Sequence, residues 1–237
     1  MRDARIGDMR VRVYIDGLNL FYGALQHGPH RWLDLMKLAR ELKPKDADLD
    51  MVRYFTAAVA GESGQRQNVY LRALETLSLV SIHRGTFYHN VDRRPLSTAP
   101  APGMGSVIEG RSDGGTWKAL PHPLPDGDVR VSVENHEEKG SDVNLATYLM
   151  FDALTDKIDL AIVVTGDSDL AEPIRLCNAK CGKMVDVVNP HAKHHAFLLR
   201  DVARSYSALD PAILAKCHLP KSMMAKNKHR IVCPDAW

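Results

Sequence analysis

Carboxylates stand at the ends of expected strands and at the head of an expected helix in this chain. Asp16 closes the run VRVYI (Val11–Ile15), Asp167 and Asp169 follow AIVVTG, and Asp142 opens a long helical segment just after Lys139-Gly140. Ligands of open α/β sheets gather beyond the carboxyl ends of the strands, so acids distant in sequence would meet on one rim. Carboxylates held close together repel and raise one another's pKa unless a cation neutralises them. Oxygen donors with no Cys or His beside them suit a hard divalent ion, Mg2+ or Mn2+, over zinc. Such a site activates water and stabilises the leaving oxygen in phosphodiester cleavage. Each acid also has a plainer role open to it: Asp16-Gly17 as turn chemistry, Asp142 as a helix cap, Asp167 to Asp169 as a capping loop. The strand-end acids together with Lys139-x-x-Asp142 point to the metal site as a constellation.

Positioning such a rim requires alternating strands and helices. The pattern predicts strands over Val11–Ile15, Met51–Val59 and Leu79–Gly85, with helices over Trp32–Leu42 and Arg66–Leu77 between them. Asn90 to Asp128 is rich in Pro and Gly and reads as an insertion that cannot hold a helix and would poorly hold a central strand. A strand is expected at Val129–Val133 and a helix at Ser141–Leu154. A buried parallel strand over Asp159–Val164, a helix over Ala171–Ala179, a strand over Lys183–Val188 and a helix over His194–Tyr206 follow. The basic stretch from Pro211 onward lacks periodicity and reads as a docked or partly mobile tail.

With 237 residues the chain holds one large domain, or one domain carrying an insertion. A hydrophobic fraction of 45% and a charged fraction of 25% exclude global disorder and a coiled coil. Lys and Arg number 31 against 29 Asp and Glu, so no global cationic field exists and any nucleic-acid surface must be local. Cys177, Cys181, Cys217 and Cys233 crowd one end of the chain, unlike a disulfide-stapled secreted domain, and a reducing cytoplasm is expected. No segment approaches about eighteen consecutive apolar residues and none near the start fits a secretory signal, so no membrane span is expected.

Asp16 and Asn19 in VYIDGLNL, Lys139 and Asp142 in KGSDVNLATYLMFDAL, and Thr165 to Asp169 in VVTGDSDLAEPI together resemble the NYN domain family of the PIN-like ribonuclease superfamily. The resemblance covers residues 10–206, with the insertion at about 90–128 excepted and 207–237 as a basic C-terminal tail. It implies a three-layer α/β/α PIN-like (Rossmannoid) fold with a central, mainly parallel sheet. The activity implied is that of a metal-dependent endoribonuclease acting on RNA, with Asp16, Asp142, Asp167 and Asp169 as the ligands of Mg2+ or Mn2+. Asn19 would orient Asp16 or touch a phosphate, Lys139 would approach a nonbridging oxygen, and Thr165 and Ser168 would hold the acids by hydrogen bonds. A homo-oligomer is compatible with the sequence.

Other chemistries compete. A haloacid-dehalogenase-type phosphatase needs a second acid two residues after its nucleophilic Asp, and here that position is Leu18. An oxidoreductase fits the topology, but no Gly-x-Gly-x-x-Gly follows the first strand. Chains that look like this one also carry the label of an NADH-dependent hydroxylase (monooxygenase) of a pyridine-type aromatic catabolite, and that activity stands as an alternative. A catalytically silent RNA-binding or regulatory module on the same scaffold is another. The histidines His191, His194 and His195 read as solvated or capping. Cys217, His218, His229 and Cys233 match no standard zinc spacing, and the lysine-rich tail reads as a solvated surface or a phosphate track.

Overall fold

The computed structural model describes residues 9–59, 61–95, 108–112, 115–119, 122–123, 129–191, 194–225, 227–235 and 237. Its central strand, β1 (Arg10–Asp16), alternates between two buried faces. Val11, Val13 and Ile15 enter one apolar cluster, while Tyr14 enters the other. A strand buried on both sides reads as a near-continuous apolar run, which is what made this one visible in the sequence.

The chain then forms α1 (Gly17–Leu20), a wider π turn at Phe21–Leu25, α2 (Leu35–Leu42), β2 (Asp48–Ala57), α3 (Gly61–Leu74) and β3 (Val80–Pro95). Asp34 starts α2, its carboxylate accepting from the Met36 and Lys37 amides at 3.0 Å each. After β3 come β4 (Ile108–Ser112), β5 (Gly115–Ala119), β6 (His122–Pro123) and β7 (Val129–Lys139). The remainder is α4 (Ser141–Leu154), β8 (Leu160–Val164), a 3-10 turn at Ser168–Leu170, α5 (Ala171–Ala179), β9 (Met184–Asn189), α6 (Phe197–Val202), β10 (Ser205–Ala208), α7 (Pro211–Lys216), β11 (Ser222–Met224) and β12 (Arg230–Val232).

Two compact units result, Phe87–Glu138 and the rest of the chain. In the larger unit the strands run β10-β9-β8-β1-β2-β3, all parallel, with Val13 between Val52 and Ile162 at the centre. Helices α1, α2 and α3, with α7, cover the face that holds Val13 and Tyr54; Leu145 and Leu149 of α4, Ile174 of α5 and Leu199 of α6 cover the face that holds Tyr14 and Phe55. The three-layer α/β/α arrangement expected from the sequence is therefore present. In the smaller unit β4 and β5 form an antiparallel hairpin and β6 pairs antiparallel with β7. No helix among the described residues is long and apolar enough to cross a membrane.

One expectation is corrected. The helix predicted over His194–Tyr206 stops at Val202, and Ser205–Ala208 becomes a sixth parallel strand beside β9. As an edge strand it is mostly exposed, so it lacks the alternating apolar pattern by which strands are read. Within the stretch read as an insertion, β3 runs on to Pro95 and the β4–β5 hairpin follows. The tail is docked. Asp34 N–H donates to the Cys217 carbonyl at 2.7 Å, Leu219 N–H to the Trp32 carbonyl at 3.1 Å, and Trp32 Nε1 to the Pro220 carbonyl at 2.9 Å.

One buried ion cluster joins the sheet to α4. Asp152, only 1% exposed, accepts from Tyr14 Oη at 2.7 Å and Arg53 Nε at 2.8 Å, and its other oxygen meets Arg12 Nη1 at 2.8 Å. Burial alone would raise the Asp152 carboxyl, but the bonds from Arg53, Tyr14 and Arg12 outweigh it and hold its pKa below the usual carboxylate value. Asp152→Ala leaves the buried Arg53 guanidinium without a carboxylate and Arg12 with Asp50 alone, and should cost about 3 to 5 kcal/mol. In wild type this cluster stabilises fully above the ordinary Asp pKa near 3.9, and the benefit is lost as pH falls through the depressed folded value. Urea melts of both proteins at pH 7 test this, since a loss below about 1 kcal/mol would mean the cluster contributes little.

Candidate functional site

The carboxyl ends of β1 and β8 lie side by side, and short hydrogen bonds lock them together. Asp16 sits at the end of β1, 1% exposed. Its Oδ1 accepts from the Asn19 amide at 3.0 Å, and its Oδ2 accepts from Asn19 Nδ2 at 2.7 Å and from Thr165 Oγ1 at 3.0 Å. Thr165, fully buried just beyond β8, also accepts from the Asp167 amide at 3.1 Å. Asp167 in turn accepts from the Asp169 amide at 2.9 Å and starts the 3-10 turn. The capping roles and the site roles open to these acids in the sequence thus coincide in the same atoms.

Burial raises the Asp16 pKa, against the hydrogen bonds from Asn19 and Thr165, and the nearby charge of Asp167 raises it further. Asn19 is oriented by its bond to Asp16, which turns its Oδ1 toward the Gly166 amide at 3.1 Å and His191 Nε2 at 3.2 Å. Oδ1 only accepts, so His191 donates from Nε2 and keeps Nδ1 as a free acceptor when neutral. Burial lowers the His191 pKa, helped by His194 and opposed by Asp16, which favours the neutral ring at pH 7. Close approach here depends on glycine. A Cβ at Gly166 would stand 2.8 Å from Asn189 Oδ1 and 2.9 Å from the His191 ring.

The sequence reads His191 as solvated or capping; the structure makes it part of the rim. The rule that located Asp16 and Asp167 also locates it, because it follows β9 by two residues. Asp142 is half-buried in the first turn of α4, where Gly140 with φ of 100° is the capping residue, and Lys139 is exposed at the end of β7. Ser168 is exposed and lines a shallow cleft with Gly166 and His191. Among the described residues no three of His, Cys, Asp and Glu stand close enough to hold a metal ion. Asp16 and Asp167 do come within range of each other's charge. The four cysteines form no disulfide; Cys217 is buried in the core, while His218 contacts His30 at 2.8 Å.

Beside the carboxylates, on the α1 and α3 side of the sheet, lies a cavity of about 360 Å³. Phe21, Tyr22, Tyr54, Tyr70 and Trp237 give it aromatic walls. Tyr54 links it to the rim: burial, with the charge of Asp16 adding, pushes its phenol up to about 12. Gly17 allows the approach, since a Cβ there would stand 2.7 Å from the Tyr54 ring.

The donor chemistry of Asp16 and Asp167 fits a hard divalent cation, which proteins often hold through one or two carboxylates with water completing the shell. A dinucleotide does not fit at the turn after β1. Its pyrophosphate would need the free amides of that turn, and Asp16 already takes the Asn19 amide with a negative charge.

No protein-family model matches the chain. It is similar to the 6-hydroxy-3-succinoylpyridine 3-monooxygenase HspA of Pseudomonas putida, at 26% identity over 97% of this chain and 75% of that protein. A solved structure of a Vibrio parahaemolyticus protein of unknown function superposes with a TM-score of 0.50 at 14% identity, covering 87% of this chain and 96% of that one. The latter likeness supports the fold alone.

Asp167→Asn keeps the acceptor for the Asp169 amide and removes the like charge beside Asp16. The Asp16 carboxyl should then titrate at lower pH, as read by carboxyl carbon NMR. A raised folded pKa makes ionised Asp16 a cost to stability above that pKa, absent below the unfolded value near 3.9. The variant should therefore equal or exceed wild type in thermal stability at pH 7, with the difference gone below pH 4. An unmoved Asp16 titration would show that the two charges do not meet.

Proposed function

We propose that this chain is an enzyme that hydroxylates a small pyridine-type aromatic compound, with NADH as reductant and dioxygen as the source of the inserted oxygen. The observation that carries this reading is the likeness to the pyridine monooxygenase, which runs through 97% of the chain rather than through the acidic motifs alone. The aromatic cavity beside the rim supports it, because planar rings are held by such walls. In this reading the cavity orients the ring and excludes water. His191 does not line that cavity but faces the cleft with Gly166 and Ser168; it would take a proton at Nδ1 from a ring hydroxyl that reaches the rim, making the ring more electron-rich toward oxygen. Asn19 and Asp16 hold the imidazole in the tautomer that leaves Nδ1 open. Nicotinamide would supply a hydride when bound, and the turn after β1 does not fit its pyrophosphate.

A second reading is metal-dependent RNA cleavage at the same rim. The Asp16–Asp167 pair and its resemblance to the NYN domain family favour it. Asp16 and Asp167 would hold Mg2+ or Mn2+, which would supply charge neutralisation and an activated water. The metal reading then needs Asp142 and Asp169 only as outer partners.

One set of assays on purified protein separates the two. Under the first reading NADH consumption in air depends on an added hydroxypyridine carrying an acyl side chain, the product gains one oxygen from labelled dioxygen, and His191→Gln lowers kcat by about 100-fold. The rate of wild type should fall only on the acid side of the ordinary histidine range, because burial lowers the His191 pKa and keeps the ring neutral until then. Absence of substrate-dependent NADH consumption, with and without added flavin, would reject it. Cleavage of single-stranded RNA that requires Mn2+ and is abolished in Asp167→Asn would establish the second instead.

A further inference from the structure

The aromatic cavity carries an unusual charge pattern. Two of its lining residues, Arg31 and Arg66, are cationic and none is acidic. Arg66 is already engaged, by Ser63 Oγ at 3.2 Å and by the exposed Glu62 carboxylate at 3.6 Å. Arg31 is not. Its Nη2 donates to the Gln26 carbonyl, its Nε is buried with no partner, and among the described residues no carboxylate stands within ion-pair distance of it. A guanidinium stays charged throughout the ordinary pH range, and a buried N–H of a charged group left unbonded is costly. The protein keeps that arrangement beside five aromatic rings.

We propose that this cavity is a binding site for a planar aromatic ring bearing a short carboxylate arm. The ring lies among Phe21, Tyr54, Tyr70 and Trp237, and the arm pairs with Arg31, with Arg66 as the secondary cation. A volume of about 360 Å³ matches one ring and a short chain, at the lower end of small-molecule sites. Arginine is the side chain suited to this task, since its planar fork matches a carboxylate and stacks on aromatic faces. Trp237 and Tyr70, with ring centres 5.7 Å apart, form a preassembled wall, and Trp32 stands behind Trp237 at 6.3 Å. Gln67 braces the mouth: its Oε1 accepts from the Val59 amide and its Nε2 donates to the Ala57 carbonyl. This inference deepens the hydroxylase reading and rests on it for the reaction, but not for the binding.

The test is a fluorescence titration of the full chain, in which Trp237 reports occupancy. The probes are 4-oxo-4-phenylbutanoate and nicotinate, their neutral amides, and uridine monophosphate. Both acids should quench wild type, bind at least tenfold more tightly than their amides, and lose at least tenfold in Arg31→Gln. Trp237→Phe should remove most of the signal, and circular dichroism checks that each variant is folded. Should Arg31→Gln fail to fold through loss of the Gln26 contact, Arg66→Gln and the comparison of acid with amide on wild type decide. Equal binding of acids and amides overturns the proposal, as does tighter binding of uridine monophosphate than of either acid. Acid binding without NADH consumption keeps the cavity assignment and rejects the hydroxylase reading; NADH consumption without acid binding does the reverse.

Discussion

The buried carboxylate of Asp152 is the constraint on which the arrangement of the sheet and α4 depends. It takes bonds from Arg12, Tyr14 and Arg53, residues of β1 and β2 that point to the same face of the sheet. Placing one negative and two positive groups in a protein interior brings no net gain over well-packed apolar residues. Its effect is on specificity. Only one rotation and one height of α4 let a single carboxylate satisfy three donors on two strands, whereas Leu145 and Leu149 alone would tolerate small slides of the helix. Tyr148 extends the cluster by placing its ring 4.5 Å from the Arg53 guanidinium. Because α4 begins at Ser141, just after its Gly140 cap, the same lock fixes where its first turn, and with it Asp142, stands.

The rim has the opposite character. Asp16 is buried beside another acid, and its three donors are neutral, so its charge is solvated by dipoles and not cancelled. Core carboxylates meant only for structure are paired, as Asp152 is. A carboxylate held by neutral donors with a raised pKa retains capacity to interact with something else, which is the pattern of functional positions. Asn19 passes this arrangement on to His191, so strands β1, β8 and β9 each contribute one group at their carboxyl ends.

Much of this was legible in the sequence wherever a pattern is local. Apolar runs marked β1, β2 and β8, and the acids after β1 and β8 stood where open α/β sheets bind ligands. β10 was not legible because an exposed edge strand shows no alternation. The Asp152 cluster was not, because Arg12 and Arg53 look like polar residues of half-exposed strands and only the fold makes their carboxylate shared. The cavity joins Arg31, Tyr54 and Trp237, which no spacing rule relates. His191 is the intermediate case: its place two residues after β9 was visible, but its contact with Asn19 depends on the absence of side chains at Gly23 and Gly166.

The docking of residues 217–237 onto the region around Trp32 has a bearing on how the molecule is made. Trp32 and Pro220 are bonded across a separation of 188 residues. At synthesis rates of about 5 to 20 residues per second the interval between their synthesis is on the order of 10 s. For that interval the first aromatic half of the cavity has no partner, and its exposed rings are surfaces that chaperones or sister chains can seize. The wall to which Trp237 contributes cannot close before that far segment is made. Slowed translation of the last segment would therefore show as aggregation before it showed as any loss of the sheet.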